Sequence, residues 1–262
     1  MAIPGDPTHS TVAPAALADT ELFAVDAYRR SFDADVLDVD REANRVLLSR
    51  TAFYPGGGGQ PFDTGTLTGP AGPLTVERVK REPTGIWHWL DDDADLPEPK
   101  TQIHGELDWK RRHLVMRTHT ALHVLCGVIW EEFHIPVTGG NMEVGTGRLD
   151  FPLESMSAEL GARIETRINE EIAAAHEIVV EFLGRRLADA DAALIRTAAN
   201  LIPREIDPLR IINIVGLDKQ ADGGTHVMST AEVGRVRVTG TESKGKGNKR
   251  IRIAVEDLHP ET

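Results

Sequence analysis

The stretch from Leu114 to Phe133 constrains the fold more than any other part of the chain. Leu114, Val115, Met116, Leu122, Val124, Leu125, Val128, Ile129, Trp130 and Phe133 leave it apolar on most sides. A helix of that kind belongs in an interior, so the rest of the chain must supply layers around it. Asp108 is placed to cap it at a start near Trp109. A second, amphipathic helix is expected over residues 157–175, where Leu160, Ile164, Ile168 and Ile172 recur one turn apart among charges. Strands are expected at about 177–183, 209–216, 232–240 and 250–256, with a short helix near 186–197. This part reads as α+β, an antiparallel sheet with helices packed on one face.

The N-terminal part is punctuated differently. Residues 1–20, rich in Pro, Ala, Thr and Ser without periodicity, read as a flexible lead-in. Over 21–105, short runs at 34–39, 45–48, 65–67, 74–79 and 86–90 are separated by Gly, Pro and Asp clusters. That pattern predicts a small β barrel or sandwich. The acidic run Asp91 to Pro99 lacks the glycine and spacing of a calcium loop and reads as a solvated loop. Residues 106–262 then form the second domain.

Composition narrows the function classes. No apolar run reaches the roughly 18 to 20 residues of a bilayer span, and the N-terminus lacks the pattern of a secretory signal. A single cysteine, Cys126, leaves no internal disulfide framework, and a cytoplasmic location is expected. The net charge of −12 argues against a protein that coats nucleic acid non-specifically.

His119-Thr120-Ala121-Leu122-His123 places two imidazoles on one face of the buried helix, a single turn apart. One metal ion could take both. A metalloprotease helix would carry Glu after the first His, and Thr120 stands there. The pair alone is a short motif, but a second pair accompanies it. In Asp222-Gly223-Gly224-Thr225-His226, two glycines are expected to let the backbone turn sharply, so that both side chains aim at one point.

Three long segments in order resemble the alanyl-tRNA editing proteins, free-standing relatives of the editing domain of alanyl-tRNA synthetase. They are Thr51-Ala52-Phe53-Tyr54-Pro55-Gly56-Gly57-Gly58-Gly59-Gln60-Pro61, then Arg117 to His123, then Gly216 to Val227. Gly145 to Phe151 also fits, and the likeness spans roughly residues 25–256. The resemblance implies a small β-barrel-like N-terminal domain bearing the glycine motif, followed by an α+β editing domain holding zinc. It implies hydrolysis of the ester joining a wrong amino acid, serine or else glycine, to the end of tRNA(Ala). The family's ligands fall on His119, His123 and His226, but Asp222 stands where its third ligand is usually cysteine. Carboxylate oxygen binds Zn²⁺ at a similar distance but is a harder donor, which leaves metal identity more open. Asp222 orienting a histidine from outside, or Cys126 ligating one turn past His123, are the alternatives.

Further roles follow from that resemblance. Gln220 and Asp218 are candidate positioning groups beside the ligand loop. Thr51 is a candidate to hydrogen-bond a serine hydroxyl, which would spare alanine. Gly57, Gly58, Gly59 and Gln60 would let an RNA terminus approach; without a following Lys-Ser/Thr they are no P-loop. Lys244, Lys246, Lys249 and Arg250 form a basic, glycine-broken hairpin that could contact phosphates, with Lys110, Arg111 and Arg112 extending it. A tRNA-binding module with weakened catalysis, editing of another aminoacyl-tRNA, or a structural metal protein are the competing readings.

Overall fold

The computed structural model describes residues 9–91, 95–155, 157–191, 194, 196, 202–243, 245 and 247–257. It resolves into two compact units, residues 14–115 and residues 116–262 joined by 1–13. The division falls inside one long helix.

The first unit holds helices α1 (Ala15–Thr20) and α2 (Leu22–Val25) and six strands, β2 (Ser31–Asp40), β3 (Arg45–Leu48), β4 (Gly65–Gly69), β5 (Gly72–Glu82), β6 (Gly85–Leu90) and β7 (Gln102–Leu107). They close in the order β2-β3-β6-β5-β4-β7, every neighbour antiparallel. Closure leaves no free edge. In β2 as far as Val36, and along β7, every second residue is buried, so Phe32, Ala34, Val36, Ile103 and Leu107 line the core. Gly105 leaves room for Phe32, because a Cβ there would sit 2.4 Å from its ring. The barrel alternative of the sequence reading is the observed one. Part of the lead-in is ordered: α1 lies within it, and β1 (His9–Ser10) pairs with a strand of the second unit's sheet.

The glycine motif is a tight loop of this unit. Gly56, Gly57, Gly58 and Gly59 have φ of 79°, 132°, 58° and 90°. Four consecutive left-handed residues are inaccessible to other side chains without strain, which is why glycine fills all four. Gly57 and Gln60 exchange two backbone hydrogen bonds of 3.0 and 2.9 Å, and the Tyr54 hydroxyl donates to the Gly57 carbonyl at 3.1 Å. Beneath the loop, Asp63 accepts from the Tyr54 amide at 2.7 Å and from Arg112 Nε at 2.9 Å. Arg112 also donates to the carbonyls of Ala52 and Ala27, and it is fully buried.

Helix α3 (Trp109–Phe133) starts where expected, with the Asp108 carboxylate accepting from the Arg111 amide at 3.1 Å. Every residue from Val115 to Ile129 is buried. Two sheets of the second unit meet it. Leu122 packs where a Cβ on Gly147 would sit 2.9 Å away, and Leu217 where one on Gly127 would sit 2.8 Å away. One sheet, β13-β14-β9-β8, comprises β8 (Gly139–Glu143), β9 (Thr146–Phe151), β13 (Val236–Ser243) and β14 (Lys249–Val255). The other, β1-β10-β11-β12, adds β10 (Ile178–Leu183), β11 (Leu209–Ile214) and β12 (Asp218–Ala221) to β1. The expected single sheet is therefore two.

Helix α4 (Ala158–Ala173) is capped by Ser157 and buries Gly161, Ile164, Ile168 and Ile172. It also covers the free edge of β13. Asn169 bonds both the amide and the carbonyl of Val236, and Glu165 accepts from the Val238 amide at 2.7 Å. A short α5 (Arg185–Ala190) follows β10. Residues 232 and 233, expected at the head of a strand, belong instead to a 3-10 turn (Thr230–Val233) with a capping box between Ser229 and Glu232. Among the described residues no helix is long and apolar enough to cross a membrane.

Candidate metal centre

Three stretches of the second unit converge. Helix α3 presents His119 and His123, which are 6% and 7% exposed. The loop after β12 presents Asp222 and His226, and Thr120 ties that loop to the helix. Its hydroxyl oxygen lies 3.1 Å from His226 Nδ1 and accepts from the Val227 amide at 3.4 Å. Arg210 of β11 donates to the carbonyls of Asp222 at 3.0 Å and Gly224 at 2.8 Å, while the Gly224 amide bonds the Asp222 carboxylate at 2.7 Å. These bonds make the bend. Neither Gly223 nor Gly224 takes a left-handed φ, so the expected glycine hinge is not how the loop turns.

One ligand atom from each of His119, His123, Asp222 and His226 lies within 4.8 Å of the other three. His226 Nε2 is 3.1 Å from one Asp222 oxygen, and His119 Nε2 is 3.7 Å from the other. Four donors bound tetrahedrally to Zn²⁺ lie about 3.3 Å apart, so the set fits one such ion. Three imidazoles and a carboxylate suit zinc or another borderline divalent metal. The outer nitrogens are braced as ligands require. His123 Nδ1 lies 3.0 Å from Asp218 Oδ2 and His226 Nδ1 lies on Thr120, leaving both Nε2 atoms for the centre.

Electrostatics favour the same state. Burial lowers the pKa of His119 to about 4, against the pull of Asp222. Burial also holds His226 well below its ordinary value, with His119 adding to the effect. His123 is displaced upward: burial opposes this, but the Asp218 hydrogen bond and charge outweigh it. Burial would raise Asp222, yet the surrounding histidines hold its carboxyl well below the usual range. His119, His226 and Asp222 are thus held in the form in which metal ligands bind, neutral imidazole and ionised carboxylate, whereas His123 gives up the proton that Asp218 favours when a metal enters.

The other expected residues are placed variously. Asp218 is buried and its oxygens accept from Gln220 at 2.7 Å and Arg196 at 2.6 Å as well as facing His123. Gln220 is half-buried next to it. Cys126 stays outside the donor group, and burial pushes its thiol far above the ordinary value. Thr51 belongs to the barrel, where its hydroxyl lies 2.9 Å from His88 Nε2 and accepts from the Phe53 amide at 3.1 Å. Gly57, Gly58 and Gly59 are exposed, whereas Gln60 is 3% exposed.

The basic patch is largely absorbed by the fold. Arg250 makes a bidentate pair with Asp150 at 2.7 and 2.8 Å, and buried Lys249 donates to Ser243 and the Gly245 carbonyl. Arg112 is enclosed by Asp63 and two carbonyls, and Arg111 donates to the Phe62 carbonyl, so of the helix-start cations only Lys110 stands exposed. Lys244 and Lys246 lie outside the described residues. Three residues' roles went unread in the sequence: those of Thr120, Arg196 and Arg210. Thr120, between the two histidines, carried a signal, since a hydroxyl inside an apolar helix needs a partner.

The chain is also similar to known proteins. Residues 18–111 match the family model for tRNA synthetases class II (A), and residues 209–252 match that for the threonyl and alanyl tRNA synthetase second additional domain. The chain is 36% identical over 238 residues to the alanyl-tRNA editing protein AlaX-M of Saccharolobus solfataricus, covering 90% of this chain and 98% of that one. It is 32% identical to the AlaX-M protein of Methanosarcina mazei, covering 90% and 96% respectively. It is also 35% identical to the alanine–tRNA ligase of Pyrococcus furiosus, aligning 91% of this chain to 26% of the ligase. Similarity at that level along nearly the full length of both chains places this one in the family of alanyl-tRNA editing proteins.

Proposed function

We propose that the chain is a trans-editing hydrolase that cleaves the ester joining a wrong amino acid to tRNA(Ala), serine first and glycine second. The observation that carries this reading is the convergence of His119, His123, Asp222 and His226 in a chain whose relatives are named for alanyl-tRNA editing. The four side chains would hold Zn²⁺. When bound, zinc supplies a Lewis acid, either for an attacking water or for the α-amino group of the substrate.

The chain's own residues do the remaining tasks. Asp218, whose oxygens are taken by His123, Gln220 and Arg196, orients His123 rather than binding substrate, a narrower role than the sequence suggested. Gln220, half-exposed beside Asp222, positions the aminoacyl group. The Thr51 hydroxyl accepts or donates one further bond to a serine hydroxyl, a bond alanine cannot make. The exposed backbone of Gly57, Gly58 and Gly59 admits the tRNA acceptor end. Such an activity belongs in the cytoplasm, where charged tRNA is used.

The test is deacylation of Ser-, Gly- and Ala-tRNA(Ala) by the zinc-loaded protein. Serine should be released fastest, alanine spared, and chelation should stop the reaction. Serine loss no faster than the spontaneous rate, with metal bound, would sink the enzyme reading. Thr51→Val should erode the preference for serine over alanine.

A further inference from the structure

Arg196 has no part in the reading above, yet it sits against the centre. It is 9% exposed. Its Nη1 donates to Asp218 Oδ1 at 2.6 Å, while Asp218 Oδ2 faces His123 Nδ1 at 3.0 Å. Its guanidinium carbon lies 4.9 Å from the centroid of Trp130, and its carbonyl accepts from the Val137 amide at 2.7 Å. Trp130 stands seven residues after His123 on α3, two turns along the same face. Arg196 thus closes a ring that leaves one position of α3 at Trp130 and returns to it through Asp218 at His123.

We propose that Arg196 is a positioning residue of the metal centre, fixing Asp218 so that the His123 ring turns its Nε2 toward the ion. The inference rests on the metal-centre reading and deepens it. Asp218 has no exposed side-chain surface. Its carboxylate can be held in one rotamer only by the donors around it. Gln220 and His123 both lie on Oδ2, so among the described residues it is Arg196 that sets the direction of Oδ1. Removing it leaves a buried oxygen free to turn, and the imidazole it steers turns with it.

The experiment measures metal binding, not deacylation. Zinc affinity by chelator competition and the visible spectrum of the cobalt-loaded protein are compared for wild type, Arg196→Met and Arg196→Lys. Expected is a loss of about 10- to 100-fold in affinity for Arg196→Met, with a shifted cobalt band. Arg196→Lys should recover most of both. Thermal unfolding of the metal-free proteins separates positioning from mere support: an altered cobalt band with unchanged metal-free stability favours positioning. Wild-type affinity and spectrum in Arg196→Met would overturn the proposal, as would an affinity loss matched by equal destabilisation and not rescued by lysine. A wild type that binds metal tightly but leaves Ser-tRNA(Ala) intact would overturn the hydrolase reading and leave Arg196 standing. A wild type that binds no metal would overturn both.

Discussion

His88 in the barrel and His119 in the second unit are about equally enclosed, and burial lowers both to a pKa of about 4. Their surroundings differ. His88 meets the Thr51 hydroxyl and the edge of Phe53 at 5.6 Å, and its Nδ1 has no hydrogen-bond partner. His119 meets His226 at 4.3 Å and His123 at 5.1 Å between ring centroids, with Asp222 beyond. Burial and a depressed pKa therefore do not make a metal site. What distinguishes the second region is convergence of several lone pairs, together with Asp218 and Thr120 facing the outer nitrogens of His123 and His226.

That contrast can be broken in order of effect. His226→Ala should be the most severe, because it removes one of four donors. Structural zinc sites contribute about 10–16 kcal/mol in all, so losing a quarter of the donors should cost on the order of 3–4 kcal/mol of metal affinity, read by chelator competition. His88→Gln should leave that affinity unchanged. Arg112→Met opens a buried pair beneath the glycine loop and should cost about 3–5 kcal/mol of barrel stability in denaturant unfolding.

His88 should instead show itself in acid. Its folded pKa lies below its unfolded value of 6.5, so the unfolded state binds the proton first as pH falls. Stability is then lost between about pH 6.5 and pH 4 and levels off below, by about 3 kcal/mol. Denaturant melts of wild type and His88→Gln across that window should differ in slope; parallel curves would contradict the assignment. Ser157→Ala should cost about 1 kcal/mol through the lost α4 cap.

The buried helix, its Asp108 cap and the grouping of His119, His123, Asp222 and His226 were legible because each rests on local pattern: apolar residues on most sides, a turn of helix between histidines, a short loop. The second sheet was not. In β8, Gly139-Gly140-Asn141-Met142-Glu143, only Met142 is buried, so neither alternation nor β-branched residues mark it as a strand. The cations were misplaced for a different reason. Lysine and arginine are ordinarily exposed, and nothing local shows that Arg250 will meet Asp150 or Arg112 will meet Asp63, 100 and 49 residues away. Arg196 and Arg210 have nearer partners, 22 and 12 to 14 residues away, but these arrive only when the sheet is built.

X-ray absorption at the zinc edge of the loaded protein tests the centre most directly. One ion per chain, surrounded by nitrogen and oxygen at about 2.0–2.2 Å and changed by Asp222→Ala, is the predicted result. A thiolate sulfur at about 2.3 Å, for which Cys126 is the single cysteine of the chain, or the absence of a bound ion, would contradict it.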